Sequence, residues 1–319
     1  MRRRSIPFRA ALSGLVLVAL ASLATPATAT AQRRRASAPA PIDVQLSTGA
    51  RAYEVELRIV ARADVELAED LRLLHLEVRP EGVRRALTCD APDRPRRLDP
   101  SARRSLRSGE VWTERFDVRR ICWGRALDAL SRGATVGGSY GLSRGRAAPV
   151  VARAAGVDTR SVALSAFTFA AIAPPAPPAG DVRVSMPPAD AATGARVSFH
   201  VSVRSARAVR ALVRLDHFRF RVTRPDGTSR TCSMPHAPSA AIPDLFARLS
   251  PRGGRVYALD VGAYCDPDTF DRAGIYEVTP ALELDASGEE WGMDTPLGTF
   301  LGTPVPVRIR ADLPRRGRT

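Results

Sequence analysis

Apolar and polar residues alternate with period two along most of this chain. Tyr53, Val55, Leu57 and Ile59 fall on one side of a run whose other side is Glu54, Glu56 and Arg58. Phe218, Phe220 and Val222 alternate in the same way with Arg219, Arg221 and Thr223. Val256, Ala258, Leu259 and Val261 make a less regular run, and Ile275, Tyr276 and Val278 another. Successive side chains of a strand point to opposite faces, so the pattern predicts strands with one face on a core and one in water. Pro80-Glu81-Gly82 and Pro225-Asp226-Gly227 have turn chemistry, with glycine supplying a positive φ, and each is expected to join two antiparallel strands. Helical patterning is sparse. Short helices are expected over Leu98 to Leu106, Ala126 to Leu130 and Ala240 to Leu249.

The spacing of the four cysteines exposes a repeat. Cys89 and Cys122 are separated by 33 residues, and so are Cys232 and Cys265. Pro92 and Pro95 follow Cys89 at the offsets at which Pro235 and Pro238 follow Cys232. Phe116-Asp117-Val118 corresponds to Leu259-Asp260-Val261, just before the second cysteine of each pair. Upstream, Arg79-Pro80-Glu81-Gly82 corresponds to Arg224-Pro225-Asp226-Gly227, and Thr48-Gly49-Ala50-Arg51 to Thr193-Gly194-Ala195-Arg196. The alternating runs between them align 144 residues apart, Val55, Leu57 and Ile59 against Phe199, Val201 and Val203, so small insertions belong in the turns. A duplication follows. Its first module covers residues 43–172 and its second 181–313, joined by an extended Ala/Pro linker over residues 173–180.

Many short strands, frequent turns and about 130 residues per unit point to an all-β chain of antiparallel β-sandwiches. Phe270-Asp271-Arg272-Ala273-Gly274-Ile275-Tyr276-Glu277-Val278 resembles the turn and penultimate strand of bacterial immunoglobulin-like or fibronectin-type-III-like domains. In that family a glycine precedes an x-Tyr-x-Val strand and the tyrosine caps a corner. Thr193-Gly194-Ala195-Arg196 resembles the entry to the family's second strand, and residues 297–309 its closing strand. In the first module Gly138-Ser139-Tyr140 is a looser counterpart. The resemblance implies two tandem immunoglobulin-like sandwiches. One departure is the short cysteine spacing, which predicts Cys89–Cys122 and Cys232–Cys265 bridges that pin the intervening crossover to the sandwich rather than cross its core.

The ends of the chain set the compartment. Arg2, Arg3, Arg4 and Arg9 precede an uncharged apolar run, Leu12 to Leu23, and small residues lead to Ala29-Thr30-Ala31. That reads as a signal peptide over residues 1–31, cleaved on export to the periplasm or beyond the cell. Four cysteines in an exported chain read as two disulfides. A disordered basic segment is expected over residues 32–42 and a basic tail over residues 314–319.

The net charge of +15 first suggests nucleic acid. The signal segment contributes four of those charges, the Arg33–Arg35 run three and the stretch from Arg308 another four, leaving only four on residues 36–307. The chain also has no lysine and no asparagine, the mark of GC-rich coding, so its arginines partly reflect codon bias. Nucleic-acid binding is therefore not expected; weak electrostatic contact of the ends with anionic envelope surfaces is.

No catalytic constellation emerges. Gly137-Gly138-Ser139-Tyr140-Gly141 fits the G-x-S-x-G spacing, but Leu142-Ser143-Arg144-Gly145-Arg146 has no helical stripe to follow it, and His200, His217 and His236 fall in the other module. His75, His200, His217 and His236 never approach one another at metal-ligand spacing, so no metal and no cofactor are expected. Asp266, Asp268 and Asp271 form the only calcium candidate, with an Asx-type turn as the competing reading. Trp291, beside Glu289, Glu290 and Asp294, is a candidate contact for a protein or glycan partner. The function expected is a non-enzymatic binding or structural protein of the cell envelope or extracellular space. The alternatives are an accessory or catalytic protein with a site between the modules, and a periplasmic assembly factor.

Overall fold

The computed structural model describes residues 39–94, 98, 103–141, 148–236 and 240–311. The segment expected to be a signal peptide, Arg33–Arg35, Pro95, Leu142 to Arg146, Pro238 and the expected basic tail lie outside the described residues.

The first half contains β1 (Ile42–Thr48), β2 (Glu54–Ala61), β3 (Val65–Ala68), β4 (Leu74–Pro80), β5 (Leu87–Asp90), β6 (Arg103–Leu106) and β7 (Val111–Asp117). It continues with α1 (Arg125–Ser131), β8 (Ala134–Gly141), β9 (Ala152–Ala154), β10 (Val157–Thr159), β11 (Ser161–Ala163) and β12 (Phe167–Phe169). The second half contains β13 (Val182–Ser185), β14 (Ala189–Ala192), β15 (Ser198–Ser205), β16 (Val209–Leu212), β17 (Phe218–Thr223) and β18 (Ser229–Ser233). It ends with β19 (Phe246–Leu249), β20 (Arg255–Asp260), β21 (Gly274–Leu284), β22 (Gly298–Leu301) and β23 (Val305–Arg310). The chain is thus mostly β, and its only α-helix among the described residues is α1, one of the three helices expected from sequence.

Corresponding strands pair in the same order in each half. One sheet runs β1-β2-β7 in the first half and β13-β15-β20 in the second. A second sheet carries β5, β4 and β8 side by side, matched by β18, β17 and β21, and the β3–β6 pair is matched by β16–β19. Registers correspond as well. Val55 faces Phe116 as Phe199 faces Leu259, and Leu76 faces Cys89 as Phe220 faces Cys232. Buried apolar side chains gather in two clusters, one within residues 42–169 and one within residues 182–309. Each cluster draws on both principal sheets of its half, an arrangement that fits a β-sandwich. Residues 173–180 lie outside any strand.

The alternating runs bury the residues they were expected to bury: Val55, Leu57 and Ile59, then Phe218, Phe220 and Val222. Phe220 packs against Phe199 with ring centroids 5.2 Å apart, joining the two sheets of the second half. Each fully buried aromatic or aliphatic side chain contributes about 1.5–3 kcal/mol over its exposed state. Both turn motifs join antiparallel strands, β4 to β5 and β17 to β18, with Gly82 and Gly227 at φ 72° and 86°. The Asp226 carboxylate accepts from the backbone N–H of Thr228 and completes the second of these turns.

Several expectations are corrected. Residues 103–106 and 246–249 form strands β6 and β19 rather than helices, because each pairs with a neighbour, β3 and β16 respectively. In β20 it is Tyr257 and Leu259 that face the core, whereas Val256 points to solvent. The closing strand of the second half is two strands, β22 and β23, both paired with β21. The basic stretch from Arg308 begins inside the fold. Arg308 and Arg310 belong to β23 and both bind the Asp190 carboxylate, at 2.7 and 3.0 Å. Strand β1 begins at Ile42, one residue inside the segment expected to be disordered.

Cys89 bonds Cys122 and Cys232 bonds Cys265, as the spacing predicted. All four cysteines are buried within the two clusters. Each bridge ties an edge strand, β5 or β18, to the turn that follows β7 or β20 in the other principal sheet. The bridges therefore lie in the core rather than outside it.

Candidate functional site: the bridged crossover of the second half

The segment between Cys232 and Cys265 meets the turn that leads into β17. That turn, Leu215–His217, is a single 3-10 turn. With three residues per turn its side chains point in three directions. Leu215 projects into solvent at 52% exposure, the Asp216 side chain is nearly buried, and His217 turns into the core at 3% exposure. Tyr264, next to Cys265, holds the turn by donating its hydroxyl proton to the Leu215 carbonyl at 2.8 Å. Burial, with the Asp216 charge nearby, pushes the Tyr264 phenol up to about 12, so it remains a donor.

The crossover brings His236 onto this turn. Its ring stacks on that of His217 with centroids 5.8 Å apart and planes 22° apart. His236 Nδ1 lies 3.3 Å from Asp216 Oδ2, which also accepts from Arg214 Nη2 at 2.8 Å. Asp285, immediately after β21, lies 3.7 Å from His217 Nε2 and 3.6 Å from His236 Nε2. One donor atom from each of Asp216, His217 and His236 lies within 4.8 Å of the others. His217 Nδ1 is buried without a hydrogen-bond partner. Burial lowers the His217 pKa below its ordinary value, against the pull of Asp285 and Asp216, and favours the neutral imidazole.

Apolar side chains flank this cluster. The β16–β19 pair ends at Leu212 opposite Phe246. From that end leave both the turn carrying Leu215 and the one carrying Ile242 and Leu245, which are 49% and 50% exposed. Trp291, the expected partner contact, packs its ring edge on Phe246 at 5.5 Å and lines a cleft of about 470 Å³ with Pro243, Arg248 and Asp294. No protein-family model matches the chain, and no curated protein matches it.

The remaining sequence candidates fall elsewhere. Asp266 and Asp268 both bind Arg230 Nη1, at 3.0 and 2.8 Å, so a guanidinium occupies the place foreseen for calcium. Asp271 is exposed after the same turn. Ser139 sits within β8 between His75 and Ala163, and its hydroxyl donates to the Gly141 carbonyl at 3.1 Å. It stands inside a strand, whereas a nucleophile elbow places its serine on a strand-to-helix turn. Gly138, at φ 137°, is needed for the sheet itself, since a Cβ there would strike the His75 carbonyl. His75 pairs with Asp90 at 2.8 Å, and His200 lies on the exposed face of β15.

A second polar site lies where the halves meet. A cleft of about 690 Å³ there is lined by Arg51, Arg115, Arg120, Glu54 and Asp226 among others. Arg119 crosses it to bind both Asp117 and Glu277, its guanidinium 4.5 Å above the Tyr53 ring. Arg308 of the second half covers the Trp123 ring of the first at 4.7 Å.

The sequence reading missed the histidine cluster because His217 and His236 are separated by a whole hairpin. One signal was present in the repeat. At the 144-residue offset His217 aligns with Leu73, and four residues past the bridged cysteine His236 aligns with Asp93.

Proposed function

We propose that the protein is an exported, non-enzymatic binding protein, built from two copies of an immunoglobulin-like sandwich, that docks a protein partner on the bridged crossover of its second half. Corresponding strand orders and registers support the duplication, and two buried disulfides fit an oxidising compartment. The observation that carries the docking site is the exposure of Leu215, Ile242 and Leu245 at one end of the β16–β19 pair. Scattered exposed apolar residues are ordinary, but a group at one end of a covalently anchored segment is the usual mark of a contact surface. A catalytic site at the junction is the weaker reading, because Arg119 already occupies the carboxylates of Asp117 and Glu277.

The test is affinity capture from envelope extract by the mature, oxidised protein. Capture is expected to be lost in the Ile242→Ser, Leu245→Ser double variant and kept in Val256→Ser, which alters an exposed residue of β20. Equal capture by all three proteins would refute the docking site.

A further inference from the structure

We propose that Asp216, His217 and His236 form a binding site for a divalent transition-metal ion of the zinc class.

The donor set fits that class. Two imidazoles and carboxylate oxygens suit borderline ions such as Zn²⁺, whereas calcium and magnesium demand oxygen alone. In a tetrahedral zinc site ligand atoms lie ~2.0–2.1 Å from the metal, hence about 3.3 Å from one another. Asp216 Oδ2 and His236 Nδ1 already stand 3.3 Å apart, whereas Asp285 faces the Nε2 atoms of His236 and His217, at 3.6 and 3.7 Å, and so holds the far edge of the His236 ring rather than the ion. The wider separations, up to 4.8 Å within the triad, close by movement of His236, a half-exposed residue. His217 is the fixed wall of the site. Arg214 binds the same Asp216 oxygen that faces His236, so it orients that carboxylate while its charge lowers affinity for a cation.

A second, independent observation is the cost of His217 itself. Its Nδ1 is buried with no partner, and a buried polar group left unpaired destabilises the fold. Packing does not require that cost. In the first half the residue that enters the core from the corresponding 3-10 turn, just before β4, is Leu73, fully buried. Its neighbour Arg72 lies 3.8 Å from Asp93, four residues after Cys89. The second half replaces Arg72, Leu73 and Asp93 by Asp216, His217 and His236. An ion pair beside a leucine has become three metal donors at three positions of the same scaffold, near a disulfide that anchors the strand leading to His236. The site stands whether or not the adjacent apolar turns dock a partner.

Tag-free, oxidised, chelator-stripped protein is titrated calorimetrically with zinc sulfate, and in parallel with calcium and magnesium chlorides. One equivalent of zinc is expected to bind, with heat absent for calcium and magnesium. His236→Ala, altering a half-exposed residue, and His217→Leu, restoring the leucine of the first half, are each expected to weaken zinc more than about 100-fold, since outer partners alone are worth 10- to 100-fold. Thermal unfolding of both variants confirms that they fold, and zinc is expected to raise the midpoint of the parent but of neither variant. His75→Ala is expected to bind zinc as the parent does. Zinc binding unchanged in folded His236→Ala and His217→Leu, no zinc binding by the parent, or equal binding of calcium overturns the site.

Discussion

Arg119 of the first half binds Glu277 of the second while also holding Asp117 and covering the Tyr53 ring. A nearly buried guanidinium with two carboxylates and an aromatic face is a fixed element, unlike an exposed pair that salt screens. Its substitution removes a contact between the halves and leaves Asp117 partly shielded without its partner. Arg119→Ala is expected to cost about 1–3 kcal/mol in urea unfolding. Limited proteolysis is expected to cut faster within residues 173–180, the exposed segment between the halves. Glu277→Gln, which keeps the Asp117 pair, is expected to cost less than about 1 kcal/mol. Equal effects of the two would show that the Asp117 and Tyr53 contacts add nothing to the pair with Glu277.

Each disulfide joins cysteines at a sequence separation of 33. Chain-entropy arithmetic for a loop of that size gives about 3–4 kcal/mol per bridge. Replacing either pair by alanine is expected to lower unfolding free energy by about that amount. Peptide mass spectrometry of the parent is expected to recover Cys89–Cys122 and Cys232–Cys265 and no peptide linking the halves. A linkage between the halves would contradict the topology described.

Two tyrosines anchor corners by different means. Tyr276 donates to the Arg272 carbonyl at 2.9 Å and accepts from the Arg272 N–H, a contact within one turn. Tyr140 lies at the opposite end of its strand, facing Leu74 as Leu282 faces Phe218, so it is not the counterpart of Tyr276 expected from sequence. Its hydroxyl donates to the Ala68 carbonyl and accepts from the Asp70 N–H, tying β8 to the segment after β3. Burial raises its pKa, so the phenol stays protonated in folded protein. Tyr140→Phe leaves two backbone groups without their partner and is expected to cost about 1–3 kcal/mol by thermal unfolding. Tyr276→Phe is expected to cost about 0.5–1.5 kcal/mol. The reverse order would show that the buried bond contributes less than its geometry indicates.

Strand content and turn positions were legible because they are local. The alternation through Val55, Leu57 and Ile59 places those residues on one face whatever the strand pairs with, and a glycine after Pro-Asp sets a turn within four residues. The cysteine pairing was legible for another reason: the repeated spacing states one solution twice. Where an element depends on a distant partner, sequence reading failed. Residues 246–249 resemble a helix by composition, yet β16 supplies the hydrogen bonds that make them a strand. Arg308 and Arg310 look like part of a solvated basic tail until Asp190 and Trp123 are brought to them.

By itself the sequence determined a mostly β chain of two similar halves, each with its cysteine pair, because period two, turn residues and equal spacings are written in neighbouring positions. Only the tertiary structure decided what the second half does differently. It takes a histidine where the first half buries Leu73, and brings His236 of the crossover and Asp216 close to it. A constellation of that kind is a property of distances in space, and no local pattern along the chain encodes it.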